Sequence, residues 1–197
     1  MILRLIRGRG SSEEVERLRA DLRARLGPES GELAGPTRFH VANRVGDDAV
    51  DVLVTAFWPT AEMVTAADAR QVSPLSLATR HLSNVVAHVF EVDETILRRS
   101  DDEPRCIRVA TGSFSKPGAD IEMLELLRQR APLIGDEMSE AYVGRRIIER
   151  AVEVTFVSAW RLAPEDRSLS EPFWRDIALR YDHFEVAVYD IVPIAGG

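Results

Sequence analysis

Cysteine is almost absent from this chain. Cys106 is the only one, which excludes an internal disulfide and a cysteine-built zinc site. Beside Ile107 it reads as a small buried hydrophobe. Lysine is equally scarce, Lys116 being the sole example, a bias of the kind a GC-rich genome produces. Long apolar runs are missing too: nothing approaches the ~18 residues of a membrane span, and the opening MILRLIRGRG carries arginines inside its short apolar stretch. A soluble, cytoplasmic protein without a membrane partner is the expectation. The formal net charge is −7 and no Lys/Arg cluster stands apart from interleaved acids, so the footprint of a nucleic-acid partner is lacking. There is no glycine-rich phosphate loop, no nucleophile elbow and no His/carboxylate metal signature. These absences argue against a nucleotide cofactor, a hydrolytic triad and a metal site.

What the chain has is a core and a repeat. Its 197 residues are 45% hydrophobic, ample for globular packing. Ala49–Trp58, AVDVLVTAFW, reads against Ala151–Trp160, AVEVTFVSAW, and both read as strands. The same register sets His40 on Tyr142, Asn43 on Arg145, Arg44 on Arg146 and Val45 on Ile147, which repeats the preceding strand. At the start of each copy, Leu3-Arg4-Leu5 with Gly8 matches Ile107-Arg108-Val109 with Gly112. Phe90-Glu91-Val92 and Tyr189-Asp190-Ile191 close the two copies in β-prone runs.

Helices fill the intervals. Ser11 and Glu14 form a capping box ahead of Val15, Leu18 and Leu22, and Gly27-Pro28 is the stop. The second copy offers Asp120, then a face of Ile121, Leu124 and Leu127, ended by Pro132. A weaker helical segment follows each tryptophan strand, from near Thr60 and from near Ser170-Glu171-Pro172. The order is β-α-β-β-α-β, twice, with domains expected at residues 1–97 and 104–197 and the charged stretch from Arg98 to Pro104 as linker.

Strand alternation gives each sheet two faces. Val50, Val52, Val54, Ala56 and Trp58 are expected under the helices, while Asp51, Leu53, Thr55 and Phe57 point the other way. Leu3 and Leu5 are assigned to the helix side, leaving Arg4 outward beside Asp51, with Arg108 and Glu153 as the repeated pair. A face carrying Leu53 and Phe57 needs cover, and the same face of the other copy is the expected cover.

The short N-terminal strand, the run Gly35-Pro-Thr-Arg-Phe-His-Val-Ala-Asn43, the passage VLVTAFWPTAEMVTA and the closing AHVFEVDE together resemble the antibiotic-biosynthesis-monooxygenase-like proteins of the dimeric α/β-barrel superfamily. The resemblance covers nearly the whole chain. It implies an α+β fold of two ferredoxin-like βαββαβ repeats forming an intramolecular dimeric α/β barrel, either a monomer with pseudo-twofold symmetry or a weak homodimer. It also implies a small apolar or aromatic molecule as ligand, in a protein that is either a cofactor-independent monooxygenase or a non-catalytic binding module. Quinone-forming members hold their substrate with an asparagine four residues before the tryptophan; here those positions are Val54 and Phe156. Haem-degrading members carry an asparagine on the first strand, where this chain has Leu5 and Ile6.

The candidate ligand-binding residues are Trp58 and Trp160 at the strand ends feeding the helices, and Asn43 on the helix-facing side. To these are added His40 and Tyr142 at matched positions of the opposite face, and His81 where a haem ligand would sit. No cofactor is expected other than haem through His81, and no catalytic residue is assigned.

Overall fold

The computed structural model describes residues 1–26, 35–46, 48–97, 103–130, 138–149, 151–161 and 178–191. The expected helix stops Gly27-Pro28 and Pro132, the linker residues 98–102 and the helix start at Ser170 lie outside them. Contacts divide the chain into two compact units, Met1–Val89 with the residues from Ile191, and Phe90–Asp190.

In the first unit the elements run β1 (Ile2–Gly10), α1 (Ser12–Leu26), β2 (Arg38–Val45), β3 (Val50–Trp58), α2 (Ala61–Ala69) and α3 (Pro74–His81), then the first part of β4 (Ser83–Leu97). β3 lies between antiparallel β1 and β2, with Ile2 opposite Trp58, Arg4 opposite Ala56 and Val41 opposite Val54. The start of β4 runs beside β1, where the Ser83 hydroxyl donates to the Arg9 carbonyl at 3.0 Å.

Each helix begins where its sequence supplies a cap. Ser11 Oγ accepts from the Glu14 amide at 3.3 Å while Glu14 Oε2 accepts from the Ser11 amide at 2.7 Å, which satisfies two otherwise open donors of α1. Thr60 and Ser73 accept from the amides of Met63 and Ser76 at the starts of α2 and α3, and Pro74 occupies the first turn, where its missing N–H costs nothing. The sequence reading gave one helix after β3. Two form because Gln71, at φ 57, breaks the first and Ser73-Pro74 starts another. Val15, Leu18 and Leu22 of α1 and Leu77 and Ala78 of α3 pack on Ile6, Val41, Val50, Val52 and Val54. Burying each large aliphatic side chain there contributes about 1.5–3 kcal/mol.

In the second unit β5 (Cys106–Phe114), α4 (Ala119–Arg130), β6 (Met138–Ile148), β7 (Ala151–Trp160) and β8 (His183–Ile191) follow the later part of β4. β5 lies between β7 and β8, β6 pairs with β7, and β4 from Glu91 onward pairs with β6, all antiparallel. Cys106 stands opposite Trp160, Arg108 opposite Ser158 and Val143 opposite Phe156, the pairings seen between β1, β2 and β3 carried to the matched residues. α4 turns Met123 and Leu127 into the core. Ile121, assigned to that face from sequence, is 63% exposed. Leu127 and half-buried Leu124 of the expected face do pack there, and Met123 takes the place expected of Ile121.

Gly112 is where the unit closes most tightly. The Tyr181 ring lies across it, so that a Cβ there would stand 2.0 Å from Tyr181 Cδ1. Phe114 and Phe184 flank that ring with centroids 4.3 and 5.0 Å away. Burial pushes the Tyr181 phenol well above its ordinary range, and it stays neutral at any physiological pH.

Candidate functional site

β1 turns its helix-facing side the opposite way from the sequence assignment. Because Ile2, Arg4, Ile6, Gly8 and Gly10 stand opposite Trp58, Ala56, Val54, Val52 and Val50, they share the helix-covered face with them. Leu3 and Leu5 take the other side. Arg4 is therefore not an outward partner of Asp51. It is 6% exposed, and its Nη1 donates to both oxygens of Asp68 on α2, at 2.8 and 2.7 Å. Ser73 Oγ donates to the same carboxylate and accepts from the Ser76 amide at 3.2 Å, so one half-buried network ties β1, α2 and the start of α3. Asp51 pairs instead with Arg9 at 2.8 Å and Arg44 at 2.9 Å. In the second unit Glu153 pairs with Arg146, not Arg108, at 2.9 Å.

The hydrogen bonds from Arg9, and then Arg44, hold the Asp51 carboxyl below its usual range. A depressed pKa gives stability that is complete above the unfolded value of about 3.9 and is lost as the pH falls through the folded value. The stability difference between wild type and Asp51→Asn, within about 1 kcal/mol for so surface-bound a pair, is expected at pH 7 and should shrink as the pH falls below about 3.9. Urea unfolding at pH 7 and at a series of lower pH values measures it.

Trp58 is wholly buried at the end of β3, packed with Ile2, Ala56, Val64 and Ala67 and edged by half-buried Phe39, Met63 and Val72. Its indole N–H has no hydrogen-bond partner among the described residues, and neither has Arg4 Nε. The equivalent place in the second unit is furnished differently. Trp160 donates to Ser158 Oγ at 2.9 Å, and the guanidinium carbon of Arg108 lies 5.5 Å from the centre of the Trp160 ring. Arg108 is 1% exposed, and Ser158 is buried. The register that sets Trp58 on Trp160 sets Ala56 on Ser158, so the first unit lacks the hydroxyl that the second provides. Ser158→Ala is expected to cost about 1–3 kcal/mol by leaving the Trp160 N–H buried without an acceptor, as measured by denaturant unfolding.

The remaining sequence candidates do not converge on this place. Asn43 is on the helix-covered face but pairs with Val52, six residues along β3 from Trp58, or roughly 20 Å at strand rise. Its counterpart Arg145 reaches Asp93 at 2.8 Å and Asp120 of α4 at 3.0 Å, joining strand to helix. His40 pairs with Thr55 and Tyr142 with Val157, each on the side of its strand away from the helices. Tyr142 donates to Glu140 at 2.8 Å, both of them buried. His81 closes α3 with its Nε2 2.8 Å from Asp21 Oδ2 of α1, so its ring joins two helices. Among the described residues no group of three or more His, Cys, Asp or Glu stands close enough to hold a metal ion, and no helix is long and apolar enough to cross a membrane.

Sequence reasoning selected both tryptophans and overlooked the charged network around the first. The available signal was Asp68: it lies four residues after buried Val64 and beside buried Ala67, an acid on the inward stripe of α2.

No protein-family model matches the chain, and no curated protein matches it. Solved structures do. The chain is similar to a "putative monooxygenase" from Fusobacterium nucleatum, with a TM-score of 0.67 at 12% identity over 96% of this chain and 91% of that one. It is similar to an anthrone oxidase-like protein, with a TM-score of 0.59 at 13% identity over 97% and 91%. A haem-binding protein from Thermus thermophilus gives a TM-score of 0.55 at 12% identity over 98% and 92%. At such identities the likeness is one of fold: this chain has the α+β fold of these oxygenase-like and haem-binding proteins, the group its sequence resembles.

Proposed function

We propose that the chain is a ligand-binding protein of the antibiotic-biosynthesis-monooxygenase type, whose helix-covered sheet face takes a small apolar or aromatic molecule. The observation that carries this reading is a buried arginine set diagonally to a buried tryptophan at matched register, Arg4 with Trp58 and Arg108 with Trp160. Each of these arginines sets a fixed cationic group on the helix-covered face, one pairing position from the tryptophan on the neighbouring strand. An indole beside a guanidinium offers an aromatic ligand a stacking surface and a positive edge. Half-buried Met63 gives the first unit an unbranched side chain that can move aside for an entering molecule.

The matched pairings also support reading the units as two copies of one ferredoxin-like βαββαβ design, with the domains meeting near residues 97–104. In that reading their sites have diverged, as Asn43 against Arg145 and Ala56 against Ser158 illustrate.

Cofactor-independent oxygenation is the second reading, favoured by the fold shared with an anthrone oxidase-like protein. An anthrone would supply all the electrons: its ring CH2 becomes C=O, one atom of O2 enters the product and the other leaves as water. The chain's part would be to hold the ionised substrate against a buried guanidinium. Val54 and Phe156, both buried and apolar, stand four residues before the tryptophans, and they favour binding over catalysis.

Oxygen uptake with anthrone and with a simple hydroquinone, corrected for the protein-free rate, separates the readings. Uptake that is lost in Trp58→Phe supports the oxygenase, and calorimetric binding without uptake supports the binding protein. Neither binding nor uptake, across a series of aromatic ketones and phenols, would overturn both.

A further inference from the structure

We infer that ligand binding is confined to the first unit, and that its ligand carries an oxygen acceptor whose place the Ser158 hydroxyl already fills in the second unit. The inference rests on the reading above that the helix-covered face binds a small aromatic molecule.

Among the described residues, Trp58 Nε1 and Arg4 Nε are enclosed donors without a partner on the helix-covered face of the first unit, and the indole is the one that distinguishes the units, since Arg108 is buried as Arg4 is. The two donors sit on one face of adjacent strands, because Ile2 pairs with Trp58 and Arg4 with Ala56. Buried donors without acceptors are rare and costly, and the economical resolution is a group that arrives from outside. Since both are donors, the arriving group must accept: a carbonyl, a phenolic oxygen or a phenolate, and not an ammonium or an amide N–H.

The second unit shows what satisfies the same indole. Trp160 donates to Ser158 Oγ at 2.9 Å, two residues back along its own strand, where the hydroxyl points to the same face. The first unit has Ala56 at that position, wholly buried and with no polar atom on its side chain. A serine at the first position would return the Trp58 N–H to an internal partner and remove the reason for a ligand oxygen. An alanine at the second would expose the same demand there. Ala56 and Ser158 therefore act as specificity-determining positions: one leaves a polar vacancy at the indole and the other closes it.

The test uses the full chain with 1-tetralone as probe and tetralin, the same ring system without the oxygen, as its control. For wild type, calorimetry should give one 1-tetralone per chain, bound roughly tenfold more tightly than tetralin, the ratio expected for one hydrogen bond to a buried donor. In 15N-labelled protein the indole resonance of Trp58 should shift on titration while that of Trp160 stays. Ala56→Ser should abolish the preference for the ketone, and Ser158→Ala should raise the stoichiometry to two. If Ala56→Ser does not fold, Trp58→Phe replaces it, and the ketone preference should again disappear.

Two ketones per wild-type chain, a shift at Trp160, or a ketone preference that survives Ala56→Ser or Trp58→Phe would overturn the inference. Equal binding of ketone and hydrocarbon with the Trp58 resonance unmoved would overturn it while leaving the aromatic-binding reading intact. No binding of either probe, or of the ketones and phenols tried above, would end both.

Discussion

Gly112→Ala is expected to lose about 3 kcal/mol of stability, the upper end of ordinary overpacking, in urea unfolding followed by tryptophan fluorescence. The new Cβ would meet Tyr181 at 2.0, 2.4 and 2.6 Å, and those atoms are ring carbons that cannot bend away singly. Phe114 and Phe184 hold the ring on either side, so it cannot slide without opening that cluster. The matched position in the first unit is a control. At Gly8 a Cβ meets Leu82 Cδ1 at 3.0 Å, Leu82 Cβ at 3.1 Å and Val85 Cγ2 at 3.3 Å, contacts that a shift of a few tenths of an ångström relieves. Gly8→Ala should therefore cost no more than about 1 kcal/mol. Replacing Tyr181 by leucine in the Gly112→Ala background should recover part of the loss, with a coupling above about 1 kcal/mol for side chains in direct contact. Equal costs at the two glycines would contradict the packing described for Tyr181.

Removal of Asp68 should have the second large effect. Asp68→Ala leaves the buried Arg4 guanidinium without its counter-charge, and also takes the acceptor from Ser73. Breaking a wholly buried pair from one side costs about 3–5 kcal/mol. The Asp68 side chain is one-third exposed, so a loss of about 2–3 kcal/mol is expected after that discount. Arg4→Met in the same background removes the stranded charge and should restore much of the stability, because an unbranched apolar side chain fits the space of the arginine stem. A single-variant loss below about 1 kcal/mol would mean that water already reaches Arg4.

Both results turn on features only partly legible in the sequence. The strands β3 and β7 were legible because AVDVLVTAFW and AVEVTFVSAW share length, alternation and a terminal tryptophan. The side of β3 that meets the helices was legible too, since Val50, Val52 and Val54 form one apolar row. β1 was not, for a physical reason. Ile2, Leu3, Leu5 and Ile6 are all buried, so both faces of that strand are apolar and alternation cannot say which one the helices cover. Arg4 was consequently placed outward with Asp51, although Gly8 and Gly10 on the same side, with Leu82 lying close against both, mark the face on which other elements press.

The site was legible as two indoles and no further. A tryptophan at a strand end is visible in one dimension, but its surroundings depend on which side of β1 turns inward and on a helix acid sixty-four residues from Arg4. The Asn43, His40 and His81 assignments came from position alone, and three-dimensional placement separates them: one at the far end of β3, one on the opposite face, one bound to Asp21. Ala56 and Ser158 differ in the two aligned strands, and the hydrogen bond from Trp160 is what gives the difference a chemical meaning.

A crystal structure of the chain grown with 1-tetralone tests the central claim most directly. Density for the bicyclic ketone against the Trp58 ring, with its oxygen within hydrogen-bond distance of Nε1 and Met63 turned aside, is the result this account requires. Trp58 still packed on Val64 and Ala67, with the ketone absent or bound elsewhere on the chain, would contradict it.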